Sequence, residues 1–383
     1  MNQPLRVAQM IGKMNTGGVR TIVLDYYRRM DKAAVQFDFF VDADSHDVPY
    51  AEIEAAGGRV FVVPPYQRLP QYLRALIRLF KENHYTVVHA HINTLCVFPL
   101  FAAWLAGVPV RICHSHSTAH KSEGKRALLK YLLRPFARVF ATDAFACGEK
   151  AGRWLYGDHC FDSGRVFVLP NAVDTPRFVY DAAARDSLRK ELGIAQDAFV
   201  VGHVGRFMHQ KNHKGLLDIF AAVLQKKQGA RLLLVGEGEL MDEVRAAVHA
   251  RADFAQDSVI FTGARADVNR LYSAMDVFCL PSFYEGMPVV AAETQTSGLP
   301  CVSADTVSRE AGMTALVRFV PLSAPPDVWA QAVIDAAAAY GARRSWNAEV
   351  AAAGFDLAQQ GARLQNAYLS RAAGHSVHET YAP

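Results

Sequence analysis

Two carboxylates, a helix start and a glycine-bearing turn share one short segment, Ser282 to Gly298, reading SFYEGMPVVAAETQTSG. Proline is favoured at the first position of a helix, where its missing N–H would have no partner anyway, so a helix is expected to begin at Pro288. Gly298 reads as the C-terminal cap, and Pro300 forbids continuation. Glu285 then precedes the helix and Glu293 lies within it, about 8 Å further on at about 1.5 Å per residue. Between them the unpaired N–H groups of the first turn, with the helix dipole, suit a phosphate. A sugar at one acid, a diphosphate at the helix start and a ribose at the other would span this distance. Taken alone, the pair also fits a helix-start acid favoured by the dipole and an exposed helical glutamate.

Other groups fall at comparable places. Arg206 and Lys211 flank a loop after a strand, where open α/β sheets bind ligands. Two fixed cations there would stabilise the charge that grows on a departing diphosphate. The alternative is two solvated surface charges. Gly17 and Gly18 end a strand-to-helix loop whose bare backbone could approach an anion, although glycine pairs also serve turn geometry alone. His89 with His91, and His114 with His116, form two H-x-H pairs at strand ends. Alternation puts each pair on one side, which raises a zinc site, but no carboxylate or cysteine pattern completes one. His116, between Ser115 and Ser117, is the better active-site candidate, and His89 and His114 could be buried structural residues. Asp42 and Asp44 spell DxD, a metal-holding arrangement in sugar-transferring enzymes of another fold, but an acidic loop at a strand end is ordinary. From Lys121 to Arg138, cations alternate with Leu, Tyr and Phe. Such a helix could lie on an anionic membrane surface or pack on its own sheet with a basic outer face.

These residues need strands and helices to hold them. Short apolar or β-branched runs alternate with helix-length segments along the chain, the pattern of parallel sheets built from βαβ units. Strands are expected at Leu5–Met10, Phe37–Val41, Arg59–Val63, Thr86–His89, Val110–Cys113, Ala144–Cys147 and Val166–Leu169. A second set comprises Phe199–Val204, Arg231–Val235, Val259–Thr262, Val277–Leu280 and Cys301–Ser303. The proline-bearing segment Leu169 to Asp181 reads as the linker between two domains, and 383 residues exceed what one core usually holds. A formal net charge of +4 suits phosphate ligands or an anionic surface and not a dedicated nucleic-acid binder. The six cysteines form no CxxC pair and read as reduced core residues of a cytoplasmic protein. No signal peptide is read at the N-terminus, and the longest apolar run, Leu95 to Val110, is broken by Pro99, Gly107 and Pro109.

The combination resembles retaining glycosyltransferase family 4, most of all its bacterial capsule, exopolysaccharide and lipopolysaccharide members. The second half carries the likeness through HVGRFMHQKNH, LLLVGEGEL, VIFTGARADV and YEGMPVVAAE, and the first through NTGGV, VVHAHINT, RICHSHST and LPNAVDTPRF. The resemblance implies an α/β GT-B fold, two Rossmann-like domains with parallel sheets facing across a cleft. Residues 1–175 would be the acceptor-side domain and 176–354 the nucleotide-sugar domain. Residues 355–373 would cross back as a helix, with 374–383 a disordered tail. It further implies that Arg206, Lys211 and Gly205 meet the donor diphosphate, Glu285 the transferred sugar and Glu293 the ribose. Gly286, Met287 and Val289 would offer backbone contacts, Gly17 and Gly18 would close on the donor, Arg265 would lie beside the base, and His116 would be the cleft histidine. The implied reaction moves a sugar, with a UDP-sugar the expected donor, to a hydroxyl of a glycan or polyprenyl-linked acceptor. It proceeds with retention, without metal or other cofactor, by front-face attack without a protein nucleophile. Competing readings are a GT-B sugar-nucleotide 2-epimerase and a non-catalytic nucleotide-sugar binder. Peripheral contact with the inner face of the plasma membrane through Lys121 to Arg138 completes the expectations.

Overall fold

The structure, a computed structural model, describes residues 3–15, 17–118, 125–255, 257–340 and 342–374. The chain divides into two units, Met1–Ala172 with Leu357–Pro383, and Val173–Asp356. The division at Ala172 lies inside the segment read as a linker. The tail call at 374–383 falls, from residue 375 on, outside the described residues.

In the first unit the apolar runs become seven parallel strands. They are β1 (Leu5–Gly12), β2 (Val35–Asp42), β3 (Arg59–Val63), β4 (Val87–Ala90), β5 (Val110–Ser115), β6 (Asp143–Ala146) and β7 (Val166–Val168), in the order β3-β2-β1-β4-β5-β6-β7. Strands covered on both faces cannot alternate polar and apolar residues, and all eight residues of β2 are buried. The helix Leu357–Ala372, last in sequence, belongs to this unit. Its Arg363 Nη1 donates to the Val168 carbonyl at 2.7 Å, and its Tyr368 ring meets Phe37 edge-on. Gly361 lets it approach the helix Gly18–Arg29 closely, since a Cβ there would sit 3.0 Å from Arg29 Cβ.

The second unit has six parallel strands: β8 (Val200–Val204), β9 (Arg231–Val235), β10 (Val259–Phe261), β11 (Val277–Leu280), β12 (Cys301–Ala304) and β13 (Val317–Val320). Their order is β10-β9-β8-β11-β12-β13. In both sheets the strand order reverses beside the first strand, at β1/β4 and at β8/β11. Loops leaving the carboxyl ends of strands at such a switch point splay apart and leave a crevice. The sequence reading missed β13, a four-residue edge strand that carries the exposed Arg318.

Candidate active site

The loop after β8 carries the first group of candidates in the second unit. Gly205 N–H donates to the Val235 carbonyl, and Phe207 N–H to that of Glu237, so the loop is held against the end of β9. The approach demands glycine at Gly236, where φ is +134° and a Cβ would lie 2.1 Å from the Gly205 oxygen. Asn212 then takes the left-handed conformation, φ 54°, that asparagine tolerates. Its Oδ1 caps the helix His213–Lys226 by accepting from Gly215 N–H, while its Nδ2 reaches the Pro281 carbonyl at 3.0 Å. Gln210 makes the second link between the loops after β8 and β11. Its carbonyl accepts from Phe283 N–H, and its Nε2 donates to the Tyr284 carbonyl and to Glu285 Oε2, each at 2.9 Å.

Glu285 and Lys211 are thereby brought together. Lys211 Nζ lies 2.6 Å from Glu285 Oε1, with side chains only 13% and 9% exposed, and Ser282 Oγ donates to the same oxygen at 3.1 Å. Assigned separately to diphosphate and sugar, the two residues are one buried ion pair. Arg206 differs: it is exposed and forms no side-chain hydrogen bond or ion pair with the described residues. The helix runs Val289–Thr296 with Pro288 in extended geometry as its N-cap, one residue later than expected. Gly298 ends it at φ +65°, with Leu299 N–H bonded back to the Thr294 carbonyl. Of the first-turn N–H groups, that of Ala291 donates to the Pro288 carbonyl at 3.0 Å, whereas those of Val289 and Val290 come too early in the helix for an intrahelical acceptor. Gly286 precedes this turn, Met287 is buried, and Tyr272 Oη donates to Glu293 Oε2 at 2.6 Å.

Arg265, expected beside the base, lies in the loop after β10. Its guanidinium is engaged by Asp267 through two nitrogens and by Glu191 through a third, all at 2.8 Å. It is an ion-paired loop residue.

In the first unit, Gly17 caps the helix Gly18–Arg29 in extended geometry that any residue adopts. Nothing lies within 4 Å of where a Cβ on Gly18 would be, so neither packing nor a left-handed turn accounts for this bare backbone. The two H-x-H pairs at the ends of β4 and β5 meet. His91 Nδ1 is 2.8 Å from His116 Nε2, and His89 Nε2 is 3.0 Å from His114 Nδ1. Gln9, a buried polar residue inside β1, bonds His91 Nε2 through Oε1 at 2.8 Å and Tyr368 Oη through Nε2 at 3.1 Å. Tyr368 Oη in turn lies 2.6 Å from His89 Nδ1. Asn93 Oδ1 accepts the His116 backbone N–H at 2.8 Å. Burial pushes the His116 pKa down to about 3, and the other three rings well below the ordinary histidine value, so all four are neutral near pH 7. Of the DxD acids, Asp42 is buried, its pKa raised by burial and then by Asp44 to about 6, while Asp44 is exposed and paired with Lys13. Of Lys121 to Arg138, residues 121–124 lie outside the described residues. The helix Lys125–Leu133 and the turn after it expose Leu128, Leu132, Phe136 and Val139, each more than half accessible.

Gln9, Gln210, Tyr272, Ser282 and Tyr368 were not singled out from the sequence. Gln9 alone carried a signal, as an uncharged polar residue in the middle of an apolar strand.

Residues 16–177 match the family model described as Glycosyltransferase Family 4, and residues 198–338 the one described as Glycosyl transferases group 1. The chain is 39% identical over 371 residues to "Putative glycosyltransferase EpsF" of Bacillus subtilis (strain 168), covering 95% of this chain and 96% of that one. It is 29% identical over 249 residues to the UDP-Gal:alpha-D-GlcNAc-diphosphoundecaprenol alpha-1,3-galactosyltransferase of Escherichia coli, across 62% of this chain and 64% of the other. Among solved structures, Anabaena Alr3699/HepE in complex with UDP-glucose superimposes with a TM-score of 0.78 at 18% identity, over 96% of this chain and 100% of that one. With both units matched by family models and a relative of this identity aligned almost end to end, the chain belongs to glycosyltransferase family 4 and has the GT-B fold.

Proposed function

We propose that this glycosyltransferase moves a sugar from a UDP-sugar to a hydroxyl of a glycan or lipid-linked glycan in bacterial cell-surface polysaccharide synthesis, with retention and without a metal. The observation that carries the reading is the uncommitted Arg206 in the loop that also bears Lys211, with the Lys211–Glu285 pair and Gln210 joining that loop to the one leading into the helix Val289–Thr296. Arg206, Lys211 and the N–H groups of Val289 and Val290 would take the diphosphate, Glu285 a sugar hydroxyl and Glu293 the ribose, with Tyr272 orienting Glu293. His116 would meet a substrate hydroxyl, and Gly17 and Gly18 would bring bare backbone to the donor. In the transfer, the bond from the anomeric carbon to the β-phosphate oxygen breaks and a bond to the acceptor oxygen forms on the same face. The acceptor proton passes to the departing phosphate oxygen, and fixed cations stabilise that leaving group more than the intact donor. Glu285, already neutralised by Lys211, is a hydrogen-bonding group in this reading and not a nucleophile.

The acceptor side is read from the exposed apolar surface at 128–139, with Arg138 beside it, which suits an anionic membrane carrying a lipid-linked acceptor. The E. coli relative is named for a diphosphoundecaprenol acceptor and HepE was solved with UDP-glucose, and both support the choice of substrates. Incubation with UDP-sugars and a diphosphate-lipid acceptor analogue in the presence of a chelator tests the reading. A glycoside with the donor's anomeric configuration by NMR is expected; an inverted product, or conversion of UDP-sugar without acceptor, contradicts it.

A further inference from the structure

Six side chains of the first unit form one unbranched hydrogen-bond chain: His116, His91, Gln9, Tyr368, His89 and His114. A neutral imidazole has one donor and one acceptor nitrogen, so fixing the proton on any ring fixes it on every ring. Gln9 does the fixing, because its Nε2 only donates and its Oε1 only accepts. Bond lengths agree independently. The 2.6 Å contact of Tyr368 Oη with His89 Nδ1 has the length of a hydroxyl donor, and the 3.1 Å contact of Gln9 Nε2 with Tyr368 Oη that of an amide donor. The opposite polarity would give each contact the wrong donor. His91 therefore carries its proton on Nε2, facing Gln9 Oε1, and accepts at Nδ1. His116 must then donate from Nε2 and keep the lone pair on Nδ1.

We propose that Gln9 and Tyr368 are positioning residues that lock His116, through His91, in the neutral Nε2–H tautomer, so that Nδ1 accepts a hydrogen from a substrate hydroxyl. The inference rests on the reading of His116 as a substrate-contacting residue. It also gives the helix Leu357–Ala372 a part in the site, since Tyr368 reaches Gln9 across 359 positions of sequence. The ring nitrogens of His89, His91 and His114 lie within 4.8 Å of one another, close enough to suggest a metal site. In the chain, however, His89 Nε2 and His114 Nδ1 share a proton at 3.0 Å where a metal would need both lone pairs. The adjoining cavity, lined by Gln9, Tyr368 and the four histidines, is about 10 Å³ and has room for one water and no ligand.

Long-range 15N–1H correlation spectra of the full chain labelled at histidine test this directly. The expected wild-type spectrum shows His116 protonated at Nε2 only. Gln9→Met and Tyr368→Phe are each expected to give a mixture of His116 tautomers and to lower kcat/KM about tenfold, the worth of one hydrogen bond. A merely structural role would lower Tm and leave the tautomer unchanged. Protonation at Nδ1 in the wild type, an unaltered tautomer in both variants, or one equivalent of divalent metal in the purified protein overturns the proposal. Since the wild-type spectrum alone can decide against it, misfolding of a variant does not protect it. Full activity of His116→Ala would remove the substrate role of His116 while leaving the spectrum intact, so the two failures are separable.

Discussion

Lys211 and Glu285 form a buried ion pair in which each side chain depends on the other. As separate ligand contacts, either could be replaced by alanine without harm to the fold. As a buried pair 2.6 Å apart, each stabilises the other against the cost of leaving water, and removing one strands the other's charge. Lys211→Met or Glu285→Gln alone is expected to destabilise the protein by about 3–5 kcal/mol in urea denaturation. The double variant should recover most of that loss while transfer stays abolished. A double variant no more stable than the singles, or one that keeps turnover, contradicts the shared role. Acids, cations and glycines were legible because each lies in a short motif at a strand end. Their partners were not: Lys211 and Glu285 are 74 positions apart, Gln9 and Tyr368 359, and no periodicity records pairings between elements.

At the scale of elements, the parallel strands were legible because burial on both faces makes each a short apolar run. The edge strand β13 escaped because only one of its four residues is fully buried and Arg318 interrupts it. The helix Lys125–Leu133 was read two ways, as a membrane-facing helix or as one packed inward with a basic outer face. Leu128 and Leu132 are 62% and 61% exposed, while Tyr131 of the same helix packs edge-on against Trp154. Beside Arg134 and Arg138, these leucines would insert among acyl chains while the cations meet headgroups. Leu128→Ser with Leu132→Ser should lower binding to phosphatidylglycerol vesicles about tenfold or more in a sedimentation assay. Unchanged binding, or equal binding to zwitterionic vesicles before mutation, removes the membrane from the account.

Over the whole molecule, buried neutral histidines set the response to acid. His89, His91, His114 and His203 have pKa values well below the ordinary 6.5, and His116 and His213 fall to about 3 and about 4, in each case chiefly through burial. The unfolded chain takes up protons at these sites as pH drops below about 6.5 and the folded chain does not, so stability present above that pH is lost on acidification. Each site contributes up to about 1.4 kcal/mol per pH unit in that window. Asp42, raised to about 6, works the other way: it favours the fold at low pH and loses that contribution as pH rises through 6. The histidines outnumber it, so Tm should fall steadily from pH 7 to pH 5, and a flat or rising Tm over that range contradicts the neutral network. Fixed cations, Arg206 first among them, are expected to hold a nucleotide diphosphate without a metal. Thermal stabilisation by UDP-, GDP- and ADP-sugars in the presence of a chelator tests it most directly, because a ligand that binds the native state must raise its stability. A shift of several degrees with UDP-sugars that Arg206→Ala abolishes is expected; no shift until a divalent cation is added, or one that survives Arg206→Ala, would overturn metal-free binding by Arg206.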